Sequence, residues 1–483
     1  MRYGSAALVL TLLFPTLLAN PALAAAAPSP QSRIARIEAH LLPTVQVRGR
    51  PLVTHTIEQE MTAHHTPSIS IAVVDHGKVI WARAYGLADV AAQRPATPRT
   101  LYQAGSVSKP VAASGAMKLV QEGRLALDEP ANSRLTSWQI PENGFTKNHP
   151  VTLRRLLTHT GGLTVHGFPG YAAGAPVPSV VQVLEGKPPA NTAAVVVERQ
   201  PGTLWNYSGG GITIAQLMMT DAVHQPFPEI LRQRVFAPLG MSDSTYQQPL
   251  PAERQPLAAT GYLRSGAPIE GRFHTYPEMA AAGLWSTPTD LAKWAIALEQ
   301  AYDGSSSRLM SKASARAMLT PGLGHWGLGV EVGGSGRDFH FGHNGDDAGF
   351  KANLMAWPDG GRAVVAMANG DDGMVVVLEL MQAVAREYGW KGLEPQEIQS
   401  VALSEAQTKE VAGSYGQGLV VVSADGSALH LAYGGAGVEL LPLGGDRFLA
   451  DPGSSNITVK VGRGPDGKVQ NLSAQGMTLP RDP

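Results

Sequence analysis

The chain has no cysteine among its 483 residues. That excludes disulfides, thiolate metal sites and a lipid-modified cysteine anchor. Charge is sparse, with Asp, Glu, Lys and Arg making up 16 % of the chain. Neither sign is in excess: 38 Lys and Arg stand against 39 Asp and Glu. A nucleic-acid surface needs a basic stripe or patch, and this balance offers none. Beyond residue 30 no stretch reaches the ~18 uninterrupted apolar residues of a spanning helix. No H-E-x-x-H or other close His/Asp set marks a metal hydrolase. Neither metal nor cofactor is therefore expected.

Glycine and proline are plentiful, 54 and 36 residues, which predicts many turns and long shaped loops. At the N-terminus Arg2 precedes an almost wholly apolar stretch from Ala6 to Leu18. Ala22-Leu23-Ala24 then offers a small-x-small cleavage site. The pattern is that of a secretory signal peptide over residues 1–24, predicting export to the periplasm or the medium. No stable membrane span is expected in the mature chain.

One stretch organises the rest: Leu101-Tyr-Gln-Ala-Gly-Ser106-Val-Ser-Lys109-Pro110-Val111. An extended entry runs into Ser106, and an apolar-periodic segment continues to Gly123. With Ser106 in the first turn of that helix, Lys109 at i+3 shares its face. The lysine amine then reaches the serine hydroxyl, beside the free N–H groups of a helix N-terminus. This combination supplies a nucleophile, a base and a place for an oxyanion. The plain alternative for the tetrapeptide is a capping serine and a solvated lysine.

In chain order, residues 68–74 and 79–85 flank Asp75-His-Gly-Lys78 and read as a β-hairpin. Residues 151–157 form a short helix running into His159, which reads as a buried structural histidine rather than a catalytic one. Residues 164–202 are too long for an ordinary connection and suggest a lid or cleft wall. Tyr207-Ser208-Gly209 stands just before a helical run from Thr213. Residues 326–332, 338–343, 350–357 and 362–368 read as four strands, followed by a helix over 374–388. From 398 short β-runs alternate with Gly/Asp turns, a barrel or sandwich pattern.

Ser106-x-x-Lys109, Tyr207-Ser208-Gly209 and His343-Asn344-Gly345 thus stand in order. In this the chain resembles the penicillin-recognising serine hydrolases: class C β-lactamases, D-alanyl-D-alanine peptidases and related serine esterases. The resemblance covers roughly residues 40 to 388. It implies an α/β (α+β) domain over 31–390, an antiparallel sheet flanked by helices, followed by a smaller all-β domain over 398–483. It implies Ser106 as acylated nucleophile, with Lys109 and Tyr207 in its proton network. His343 takes the place of the lysine in K-T-G, lining the cleft with Asn344 and Gly345. The oxyanion would lie between the backbone N–H groups of Ser106 and Asp346. His325 and His340 also fit H-x-G; His343 is preferred because a glycine-containing turn is expected after it.

Two departures bear on substrate. Gly209 replaces the usual Asn of the tyrosine motif, and His343 replaces a lysine. Both point away from β-lactams and towards carboxylic esters or D-amino-acid peptides. The alternatives are a β-lactamase, or a non-catalytic penicillin-binding or peptide-binding sensor using the same cleft. The expected partner is a small ester, peptide or lactam; oligomeric state is left open.

Overall fold

The computed structural model describes Met1, Gly4 and residues 29–433, 437–450, 457–474 and 477–483. The expected signal peptide therefore falls, Met1 and Gly4 apart, outside the described residues.

A seven-stranded sheet carries the larger, N-terminal domain. Its strands are β1 (Ser68–Asp75), β2 (Lys78–Asp89), β3 (Arg94–Pro95), β4 (Glu331–Gly333), β5 (His340–Asp347), β6 (Phe350–Trp357) and β7 (Arg362–Ala368). They lie in the order β3-β2-β1-β7-β6-β5-β4, every pair antiparallel. Residues 68–74 are all buried, so β1 is a continuous run of small and apolar residues rather than an alternation. Ile69, Ile71 and Val73 face a layer built by α1 (Pro30–Ala39) and a helix over Gly373–Tyr388. Ala72 and Val74 face the opposite core. That core holds α2 (Ser108–Gln121), α3 (Gly209–Val223), α4 (Met279–Ala282) and α5 (Pro288–Asp303), with the 373–388 helix becoming α6. Thr287 caps α5 ahead of Pro288: its hydroxyl accepts from the Asp290 N–H at 3.2 Å. Proline at the first helical position loses no hydrogen bond.

Three expectations need correcting. The strand expected over 326–332 is only Glu331–Gly333, because the chain turns through Gly327 and the left-handed Gly329 (φ +77°). The strand expected to end at His343 continues to Asp347, in register with β6 from Phe341↔Ala356 to Asp347↔Phe350. His343 is therefore mid-strand, and the turn comes at Ala348-Gly349. Ser106 lies in a 3₁₀ turn, Gly105–Val107, that leads into α2 rather than in the helix itself.

The C-terminal part is an eight-stranded antiparallel meander. Its strands are β8 (Gly413–Tyr415), β9 (Val420–Asp425), β10 (Ala428–Tyr433), β11 (Val438–Gly444), β12 (Arg447–Ala450), β13 (Ile457–Arg463), β14 (Val469–Ala474) and β15 (Met477–Pro480). The two ends meet. Tyr415 bridges Arg481, the Gly416 N–H donates to Pro480 O and the Asp482 N–H to Ser414 O, both at 2.8 Å. The sheet is thus a closed barrel, not a sandwich. A short helix, α7 (Glu405–Val411), adds Val411 to its core. Val45–Val47 pairs in parallel with Gln396–Ile398 and packs on Leu441 and Leu449 of the barrel.

Candidate active site

The 3₁₀ turn at Ser106 and the first turn of α2 place Lys109 directly over the serine. Lys109 Nζ donates to Ser106 Oγ at 2.8 Å and to the Ala281 carbonyl of α4 at 2.8 Å. The lysine is 2 % exposed. A buried amine needs such partners, because leaving them unmade costs its full desolvation. Pro110 costs the helix nothing so near its start. The expected serine–lysine contact is therefore formed.

Tyr207 sits immediately before α3. Ser208 caps that helix, its hydroxyl accepting from the Gly211 N–H at 2.9 Å. Lys109 Nζ lies 5.0 Å from the centre of the Tyr207 ring. His159 is buried, and its Nδ1 accepts from the Ser208 N–H at 3.2 Å. Its ring packs 4.3 Å from that of Tyr207. Burial, with the Lys109 charge next, holds its pKa well below the usual histidine range. The ring is neutral and positions Tyr207, in keeping with the structural reading.

β5 supplies the opposite wall. Along it His343, Gly345 and Asp347 are buried while Asn344 and Asp346 are exposed, the two-residue period of a strand. Gly345 lies against the Ser106 turn. A Cβ there would come within 2.0 Å of Ala104 O and 3.2 Å of the Ser106 nitrogen. One on Gly105 would come within 2.4 Å of the Asp346 nitrogen. The H-x-G glycine is thus required by close approach of two backbones. That approach brings the Ser106 and Asp346 nitrogens, the expected oxyanion pair, to one junction. The Asp346 carboxylate itself turns out to Lys351 Nζ at 2.6 Å.

His343 Nδ1 bonds the Asn344 carbonyl. A carbonyl only accepts, so Nδ1 carries the proton. Burial, with Lys109 adding, pushes the His343 pKa down to about 3. The ring is therefore neutral, and Nε2 presents a lone pair. The Tyr207 hydroxyl, 3.5 Å from Nε2, donates to it at the outer limit of a hydrogen bond. His325 is exposed, and His340 turns to Asp338 O and Trp357. Of the three H-x-G histidines only His343 meets Tyr207.

Several site residues carried no signal in the sequence. Phe168, on the long 164–202 loop, fills the space beside Gly209: a Cβ on Gly209 would stand 3.0 Å from both the Phe168 ring and His166 O. Trp205 and Trp326 lie 6.3 and 5.7 Å from the Tyr207 ring. Trp205 and Leu204 are 38 % and 56 % exposed, an apolar pair left in water next to Tyr207. Asp347 is buried behind the Ser106 turn, and its pKa is raised well above the carboxylate range by burial and the neighbouring Asp346. Glu278 precedes α4, and burial pushes its pKa to about 7. The loop was expected to form a cleft wall, yet which of its residues faces inward follows only from the fold.

The protein-family model described as Beta-lactamase matches residues 53–386. The chain belongs to the β-lactamase family. This β-lactamase-family chain is 30 % identical over 276 residues to the Mycobacterium tuberculosis protein Rv1367c, the match covering 51 % of the chain and 65 % of that relative. The chain spans less than two thirds of the length of the curated relatives at the head of the comparison. Its fold is similar to that of the octameric penicillin-binding protein homologue from Pyrococcus abyssi, with TM-score 0.61 and 23 % identity over 88 % of this chain and 98 % of that one. It is also similar to the D-amino acid amidase from Ochrobactrum anthropi SV3 solved with L-phenylalanine amide. There the TM-score is 0.56 and the identity 22 %, covering 69 % and 97 % of the two chains. Members of this fold family are serine hydrolases.

Proposed function

We propose that the chain is an exported serine hydrolase that passes through an acyl-Ser106 intermediate, acting on carboxylic esters or D-aminoacyl amides with an apolar acyl group. The observation that carries this reading is the 2.8 Å contact between Lys109 Nζ and Ser106 Oγ.

In the proposed reaction Lys109 enters as the neutral amine, Ser106 Oγ attacks the substrate carbonyl carbon, and the hydroxyl proton passes to the Lys109 lone pair. The carbonyl oxygen becomes an oxyanion between the N–H groups of Ser106 and Asp346. The C–O or C–N bond then breaks, and the leaving group departs with a proton. Water repeats the sequence on the acyl-enzyme and frees Ser106. Lys109 is favoured over Tyr207 as base. Lys109 Nζ bonds Ser106 Oγ directly, whereas the Tyr207 hydroxyl bonds His343 Nε2, a ring that burial keeps from taking up a proton. A lysine at that position would steady a tyrosinate; a neutral histidine does not.

The departures set substrate preference. With Gly209 there is no side-chain amide for the acylamino group of a β-lactam, and Phe168 occupies that space with an apolar face. His343 is uncharged and cannot grip a carboxylate as a lysine does. An ester needs neither contact. The D-amino acid amidase neighbour adds amides of D-amino acids to the panel.

The test combines a covalent label with turnover. A fluorophosphonate should add to Ser106, located by mass spectrometry. p-Nitrophenyl butyrate should be hydrolysed with a higher kcat/KM than nitrocefin. Ser106→Ala should lower turnover at least about 10³-fold. Its stability should change by no more than about 3 kcal/mol, the worth of one charge-assisted hydrogen bond. Activity kept within tenfold in Ser106→Ala would remove this residue as nucleophile.

A further inference from the structure

We propose that the C-terminal barrel holds a second binding site, for a single-chain amphiphile with a negatively charged head. It is separate from the Ser106 cleft and does not rest on the hydrolase reading.

An eight-stranded barrel is just wide enough to be filled by its own side chains or to hold one small ligand. The two halves of this barrel differ. Towards α7 the inward positions Tyr415, Val422, Leu429, Phe448, Val461 and Val469 are all buried, and this half is a packed core. Two residues along the same strands the wall continues through Val420, Leu431, Ala450 and Val459, but the centre is open. The cavity there is about 400 Å³, within the ~300–1,000 Å³ range of ligand pockets. Small side chains leave the space: Ala450 and Ala474 stand where neighbouring inward positions carry Phe448 and Leu472. At the mouth Tyr433 and Met477 are 60 % and 52 % exposed. Apolar surface left in water at the rim of an apolar hollow favours an apolar occupant.

Chemistry at the rim names the head group. Among the described residues lining the hollow, Arg264 is the one charged side chain. It comes from the N-terminal domain, and it is 75 % exposed while paired with Asp372 at 2.9 Å. An exposed ion pair of this kind contributes little, about 0–1 kcal/mol, so the guanidinium can also take a carboxylate head. The size suits one acyl chain rather than the two of a phospholipid.

The experiment uses the full chain and decanoate as probe. Dansyl-undecanoate is bound first and displaced by decanoate, with decan-1-ol as the uncharged comparison. Saturable 1:1 displacement is expected. Ala450→Trp should fill the hollow and weaken decanoate at least tenfold. Met477→Glu, whose side chain is already half in solvent, should do the same by repulsion and keeps the test open if Ala450→Trp does not fold. Arg264→Gln should weaken decanoate at least threefold and leave decan-1-ol unchanged. Absence of saturable displacement, or binding untouched by both Ala450→Trp and Met477→Glu, overturns the site. Equal weakening of acid and alcohol by Arg264→Gln overturns the anionic head. A self-associated protein that Met477→Glu dissociates, and that decanoate does not, makes the mouth a contact between copies and overturns the proposal.

Discussion

Glu278 is 0 % exposed beside α4, whose Ala281 carbonyl anchors Lys109. Burial raises its pKa from 4.5 to about 7. In the folded state it keeps a proton that the unfolded chain has already lost. Its favourable share of stability is complete below about pH 4.5 and is lost as pH rises through 7. The loss amounts to at most about 3 kcal/mol. Glu278→Gln should therefore flatten the decline in stability between those pH values and stabilise the protein at pH 8. Urea unfolding at pH 5, 7 and 8 measures this; parallel curves for the two proteins would show that Glu278 meets water or a partner. At this scale the Ser106–Lys109 contact was legible, because helical spacing alone brings i and i+3 together. Glu278 and Asp347 were not. A carboxylate in a sequence reads as solvated, and only the packing around it makes it a buried acid.

Among elements, α3 and the 164–202 loop meet at Gly209, the third position of the tyrosine motif. Gly209 looked like a missing contact that an asparagine would restore. The loop has closed over that place instead. A side chain at 209 would have to displace the Phe168 ring and the His166 carbonyl, each 3.0 Å from its Cβ. Overpacking of this kind costs about 1–3 kcal/mol. Gly209→Asn should thus lower the melting temperature and bring no gain in nitrocefin acylation. With Phe168→Ala added, stability should partly recover. Differential scanning calorimetry of the single and double variants decides it, and a stable Gly209→Asn that gains β-lactam acylation would sink the steric account. Strand reading shows the same split. β1, β6 and β7 were legible from mostly buried β-rich runs and β2 from its β-rich run opposite β1. β5 was cut short because Asn344-Gly345 carries turn residues, and the Ser106 backbone packing on Gly345 is a tertiary fact.

At the scale of the whole molecule, the change in turn spacing near residue 398 was legible and the way the two parts touch was not. The barrel rests on the N-terminal domain partly through Val45 and Val47, packed on Leu441 and Leu449, and an exposed Arg50–Glu439 pair at 2.6 Å. Removing residues 399–483 uncovers these valines. The truncated chain should melt several degrees lower yet keep fluorophosphonate labelling of Ser106 within a few-fold, since the described Ser106 contacts all lie before residue 350. Labelling lost from a truncation that is still folded by circular dichroism would make the barrel part of the site.

The junction of Gly345 with the Ser106 turn also sets a timetable. Gly345 follows Ser106 by 239 residues, and β1 waits for β7, with Val73 opposite Val364. At ~5–20 residues per second of synthesis, the serine exists for on the order of ten to fifty seconds before the strand it leans on has been made. Throughout that interval the proposed nucleophile stands without its proposed oxyanion partner. A chain arrested at residue 340 should take no fluorophosphonate, whereas one released after α6 should take it fully; early labelling would mean that the Ser106 turn activates itself. The distance along the chain thus postpones the junction of the Ser106 turn with Gly345 until β5 has been made.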